Sequence, residues 1–168
     1  MALSLRASAT FVGLALITGT AAFGQAGPPV LTPAPRQKAI RDDLISKAAT
    51  DPHGVSVGHI RKGPTSIVQM VVRVRTGEAE EHQLWADEIT VREGEVDLIT
   101  GGTMVGRYAM PGRPGEFRGT ELVGDTTTTR LRPGDFVEIP AGTYHWMKVV
   151  GSSPTASFVI KIRKPVEN

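Results

Sequence analysis

The chain has 168 residues, 40% hydrophobic and 21% charged, with 19 Lys and Arg against 17 Asp and Glu and no cysteine. Disulfides, thiol chemistry and cysteine-based metal sites are therefore excluded. Setting aside a leader that carries Arg6 and no acid leaves 18 basic against 17 acidic residues, a balance that gives no electrostatic argument for nucleic acid.

Residues 1–24 read as a secretory signal peptide. One early cation precedes an apolar stretch from Ala7 to Ile17, and small residues such as Ala22 and Gly24 lead to a cleavage point near Gln25. The stretch is short of the ~20 residues that span a bilayer, although an uncleaved anchor is the competing reading. The expected location is periplasmic or secreted, with no membrane association after cleavage. Residues 25–36 follow as a flexible, proline-rich tether, because GPPVLTPAPR sustains neither a helix nor a central strand. The folded domain is expected over 37–168, a length that suits a single core.

That domain opens on one short amphipathic helix, with Ala39, Ile40, Leu44, Ile45 and Ala48 at helical spacing, ending before Asp51-Pro52-His53-Gly54. From Val55 the period changes to two. Strands are expected at 55–60, 66–75, 88–93, 95–100, 103–108, 127–131, 136–139, 145–150 and 157–163, a series that implies an all-β sandwich or barrel. In 66–75 the even residues Val68, Met70, Val72 and Val74 are apolar, so the even face is expected to point into the core. In 87–93 the odd set is Asp87, Ile89 and Val91, which puts an acid on the apolar face.

Chemistry concentrates at two places. In GDFVEIPAGTYHW, Gly134, Pro140, Gly142 and His145 stand at fixed offsets, with two turns flanking a strand and the histidine sharing a face with Met147 and Val149. Upstream, Glu80 and His82 are two residues apart and share a strand face. Asp87 then follows a short turn, 84–86, onto what is expected to be the next antiparallel strand. Two carboxylates held close in an apolar barrel repel unless a cation lies between them. Two neutral histidines, two carboxylates and a dication sum to zero, which favours a metal ion.

The downstream stretch resembles the second cupin motif, G-x5-P-x-G-x2-H-x3-N, with Val149 where the motif has Asn. Counting back from Gly94, the first motif would place its ligands at Glu80, His82 and Asp87, with acid for His at the first position and Asp for Glu at the third. The run from Gly101 to Asp135 is similar to that of small exported bacterial cupins. The resemblance implies an all-β, single-domain cupin barrel (a double-stranded β-helix of jelly-roll type) preceded by the helix. It also implies one divalent ion, Fe, Mn, Zn or Ni, on Glu80, His82, Asp87 and His145, a small-molecule ligand, and a homodimer, as cupins commonly form. Glu80, at a former His position, is the expected general base if the barrel is a metal-dependent oxygenase, isomerase or lyase. A metal-free barrel that binds a small molecule and catalyses nothing is the alternative, and a scaffold for assembly is a third.

The remaining candidates are weighed the same way. Asp87 is either a ligand or the partner of Arg73, Arg92 or Arg107. Glu81 and Glu88 fall on the outward parity, and His53 and His59 read as surface or turn residues. Arg113 and Arg118, with Tyr108, lie in a Pro/Gly-rich connection that either folds over the barrel mouth to offer cations to an acidic ligand or serves as a solvated connector or dimer contact. Tyr144 and Trp146 share the face opposite His145 and are expected to pack. No Gly-x-Ser-x-Gly elbow or phosphate loop is present.

Overall fold

The computed structural model describes residues 29–152 and 154–165. The expected signal peptide and the first residues of the expected tether lie outside them. From Thr32 onward the chain forms one unit. Its helix, α1 (Ala34–Thr50), starts inside the stretch expected to be a tether as far as residue 36. Pro33 and Pro35 allow this, because the first-turn amides of a helix have no intrahelical acceptor to lose. Lys38–Asp42 and Asp43–Lys47 are i,i+4 ion pairs on the exposed side of α1. Among the described residues no helix is long and apolar enough to cross a membrane.

Eleven strands follow: β1 (Val55–Lys62), β2 (Ser66–Arg73), β3 (Ala79–His82), β4 (Trp85–Glu93), β5 (Glu95–Val105), β6 (Tyr108–Ala109), β7 (Glu116–Gly119), β8 (Glu121–Leu131), β9 (Phe136–Ile139), β10 (His145–Val150) and β11 (Thr155–Arg163). They form two antiparallel sheets, ordered β1-β2-β11-β4-β9 and β6-β7-β3-β10-β5-β8. This is the all-β barrel preceded by one helix that the sequence predicts. The two strands expected at 95–100 and 103–108 are largely one, β5, broken only by a register shift between Gly101 and Thr103. The short β6 begins at Tyr108, the last residue of the strand expected at 103–108, and β7 arises within the Pro/Gly-rich connection, where the pattern predicted no strand.

The barrel interior is filled by Val71, Ile89, Val91, Val96, Leu98, Leu131, Ile139, Met147 and Val159. Fully burying each such side chain contributes about 1.5–3 kcal/mol, so this layer dominates the stability of a chain without disulfides. A second layer lies outside the first sheet, where Leu44 and Ala48 of α1 pack on Met70, Val72 and Ala156. Gly58 on β1 makes this contact close: a Cβ there would stand 3.1 Å from Leu44 Cδ1. The Ser56 hydroxyl adds a hydrogen bond to the Leu44 carbonyl.

The helix reverses the expected facing of β2. Its even residues Met70 and Val72 are buried under α1, while the odd ones, Ile67, Gln69, Val71 and Arg73, line the barrel cavity. Both faces of the strand are covered, and the more apolar one marks the helix–sheet layer, not the barrel interior.

A second correction concerns β3 and β4. They were expected to be antiparallel neighbours, but β3 pairs with β7 and β10 whereas β4 pairs with β11 and β9. The chain crosses between sheets at Gln83 and Leu84, so Asp87 faces Glu80 and His82 across the cavity.

Candidate metal centre

His145 opens β10 and lies directly opposite Glu80 on β3 in the strand register. His82, two residues along β3, shares the face of Glu80. One ligand atom from each of Glu80, His82 and His145 lies within 4.8 Å of the others, and the two imidazole centroids are 5.2 Å apart. The turn that delivers His145 is tied to the other ligand strand, because the Gly142 amide donates to the His82 carbonyl at 2.9 Å. Gly142 sits at φ +83°, a conformation that side chains with a Cβ rarely adopt, which explains the glycine of the motif.

The far nitrogens of both rings are turned toward acceptors. His145 Nδ1 is 3.0 Å from the Thr143 carbonyl, which places its proton on Nδ1 and leaves Nε2 free to face Glu80 Oε2 at 3.7 Å. His82 Nδ1 lies 2.7 Å from Glu116 Oε2, and His82 Nε2 lies 3.2 Å from Glu80 Oε2. Both contacts of His82 are short but off line, so neither ring nitrogen has a hydrogen-bond partner among the described residues. At 3% exposure, this imidazole is buried with an unanswered Nε2 aimed at the other two donors. Buried polar atoms are rarely left so, and a cation between the donors would answer it. Two imidazole nitrogens and one carboxylate form a donor set that suits Fe(II), Zn, Mn or Ni.

Asp87 is brought to the edge of this group without joining it. It is buried, and its Oδ2 is 3.5 Å from His82 Nε2, but its Oδ1 accepts a 2.8 Å hydrogen bond from the Lys161 ammonium. Arg73, Arg92 and Arg107, the partners considered from the sequence, go elsewhere. Arg73 Nη2 lies 3.7 Å from Glu80 Oε1, Arg92 stacks on Phe158, and Arg107 pairs with Glu81 at 2.7 Å. The parity of β11 could have revealed Lys161, since it shares the face of Ser157 and the core residue Val159. No local signal marks Glu116, which reaches His82 only because the connection folds back as β7 against β3.

These cations change the charge balance expected for the site. Arg118 Nη1 lies 3.2 Å from Glu80 Oε2. The innermost groups are thus Glu80, Asp87 and Glu116 against Arg73, Arg118 and Lys161, already neutral without an ion. Burial opposes the charge of Glu80, but Arg118, the close approach of the His145 and His82 rings, and Arg73 hold its carboxyl well below the usual range. Those neighbours favour a permanently ionised ligand over the general base expected for Glu80, which would need a pKa tuned near neutrality. Burial alone would lower the pKa of His82, yet Glu116 and Glu80 raise it, so protons and a metal ion would compete for this ring.

The other sequence candidates divide. Arg113 and Arg118 both line the cavity, as does His59, which is exposed on β1 as expected of a surface residue. His53 stands beside Glu78, at 3.6 Å, and Tyr108 donates to the same carboxylate. Glu81 keeps its parity away from the cavity but is buried under Arg107, which in turn lies 3.5 Å over the Phe117 ring. Tyr144 and Trp146 pack with Ala79, Met104 and Leu122, as expected, and the Trp146 indole donates to the Gly77 carbonyl.

No family model matches the sequence, and no curated protein matches it. Among solved structures the chain is similar to a putative mannose-6-phosphate isomerase of Ralstonia eutropha, with 13% identity, a TM-score of 0.49, and 68% of this chain and 89% of that one covered. It is similar to the cupin domain of Cnp3 from Schizosaccharomyces pombe at 11% identity and a TM-score of 0.47, covering 66% of this chain and 65% of that one. An oxalate oxidase in complex with glycolate aligns at 15% identity and a TM-score of 0.47 over 68% of this chain and 53% of that one. The match thus takes in less than two thirds of the last two proteins. None of these likenesses transfers a residue role or a reaction to this chain.

Proposed function

We propose that this barrel holds one divalent metal ion on Glu80, His82 and His145 and presents it to a small molecule in the adjoining cavity. The observation that carries the reading is His82 Nε2, buried, without a hydrogen-bond partner among the described residues, and aimed at a second imidazole and an ionised carboxylate. Once bound, such an ion supplies Lewis-acid polarisation of a ligand oxygen, or oxygen activation if it is Fe(II). The chain's own groups do the rest. Thr143 and Glu116 orient the two rings, Arg73 and Arg118 keep Glu80 ionised, and the Asp87–Lys161 pair closes the opposite wall. The ligand set leaves oxygenase, isomerase and lyase chemistries equally open. A leader-like sequence at residues 1–24 supports export as the setting.

A second reading follows from the neutral inner charges: a barrel that binds a small molecule with no metal at all. Elemental analysis of freshly purified protein separates the two. We expect close to one equivalent of a transition metal, lost in both His82→Ala and His145→Ala. Metal-free wild-type protein whose melting temperature is unchanged by metal addition would establish the second reading.

A further inference from the structure

The cavity beside the metal donors has a volume of about 580 Å³, large enough for a molecule well beyond water or a simple inorganic ion. Its walls include the apolar side chains Val55, Val57, Ile67 and Trp85. Its charges are arranged in two zones. Arg73 and Lys161 are buried, each 8% exposed, and with Arg118 they sit at the inner end beside the donors. Arg118 Nη1 is buried and has no hydrogen-bond partner among the described residues. Lys62 and Arg113 line the same cavity but are exposed, which places them at its rim, and neither has an acidic partner among the described residues. His59, also exposed on the rim, has a lowered pKa, chiefly from burial and then from the neighbouring Lys62 and Arg113.

We propose that the cavity takes a small organic acid with an anionic group at each end and an apolar body between them. The inner group would face Arg118 and the donors, and the outer group would face Lys62 and Arg113. The inner protein charges cancel, so a resident dication leaves a surplus of positive charge at that end, while the two rim cations leave another at the mouth. The inference rests on the metal reading for the inner surplus only; the rim cations stand independently of it. Apolar walls between two cationic zones favour a carbon chain or ring over inorganic phosphate, which has no apolar part to bury.

Calorimetric titration of the purified full-length protein tests this, using the straight-chain dicarboxylates of four to seven carbons, hexanoate, the neutral diamide adipamide, and inorganic phosphate. Trp85 fluorescence provides a second readout, because that ring lines the cavity. At least one dicarboxylate is expected to bind at one equivalent, at least fivefold tighter than hexanoate and tenfold tighter than adipamide or phosphate. In the double variant Lys62→Gln/Arg113→Gln, that dicarboxylate should fall to the affinity of hexanoate, with hexanoate changing less than twofold. Dicarboxylates binding no tighter than adipamide, phosphate matching the best of them, or an unchanged affinity in the rim variant would each overturn the proposal. Metal content measured on the same samples keeps the two readings apart. A metal-loaded protein indifferent to dicarboxylates sinks this inference alone, whereas dicarboxylate selectivity in a metal-free protein sinks the metal reading alone.

Discussion

Glu116 shows how one side chain can decide whether an imidazole is a ligand. Its carboxylate stands 2.7 Å from His82 Nδ1, and although burial works against its charge, the contact with His82 holds its pKa below the usual range. A carboxylate this close to the far nitrogen makes the other nitrogen the better donor, an effect whose loss typically costs 10–100-fold in metal affinity. Glu116→Gln is therefore expected to weaken metal binding by about 10–100-fold, read by competition with a chelator of known affinity. Glu138→Gln, on an exposed position of β9, serves as the control and should change nothing. Equal affinities in the two variants would make Glu116 a bystander. The sequence placed Glu80, His82 and His145 in one site because a spacing pattern carries that information. It offered Arg118 only as one of two alternatives and missed Glu116, since a connection with Pro111, Gly112, Pro114 and Gly115 has no period from which a facing can be read.

At the scale of elements, the lesson lies in β2 and the β3–β4 crossing. Alternation along β2 was legible, but it reported the more apolar of two buried faces. The helix that precedes β1 covers the even side, so a polar parity of Gln69 and Arg73 was left for the interior. Glu80 and His82 line the same cavity from β3, a strand of the other sheet. If α1 forms a layer separate from the barrel interior, disrupting it should cost stability without touching the donors. Leu44, 2% exposed, packs on Met70 and Val72, and Leu44→Ala at such a site costs about 2–5 kcal/mol. We expect a melting temperature lower by several degrees, with metal content at the wild-type level. Loss of metal in parallel with stability would mean that the two layers are coupled.

For the whole molecule, the question is what the ion would do for a fold that is already electrically balanced. Three acids and three cations meet at the innermost end of the barrel: Glu80 is paired with Arg73 and Arg118 and Asp87 with Lys161 at distances of 2.8–3.7 Å, while Glu116 faces His82 at 2.7 Å. Had the acids faced only the two histidines, removal of the ion would leave buried carboxylates in mutual repulsion, and the barrel would be expected to open. With the cations in place, the metal-free protein should remain folded and lose only the binding free energy. At free metal one hundred times the dissociation constant, that contribution is about 2.7 kcal/mol. In a domain of this size it corresponds to about 10 °C in melting temperature. Chelation followed by calorimetry should therefore give a single cooperative transition about 10 °C below that of the loaded protein, restored by adding back one equivalent of the metal found by elemental analysis. A chelated protein with no cooperative transition would show that Arg73, Arg118 and Lys161 do not compensate the buried acids, and the account of the site's charge would have to be rebuilt around the ion.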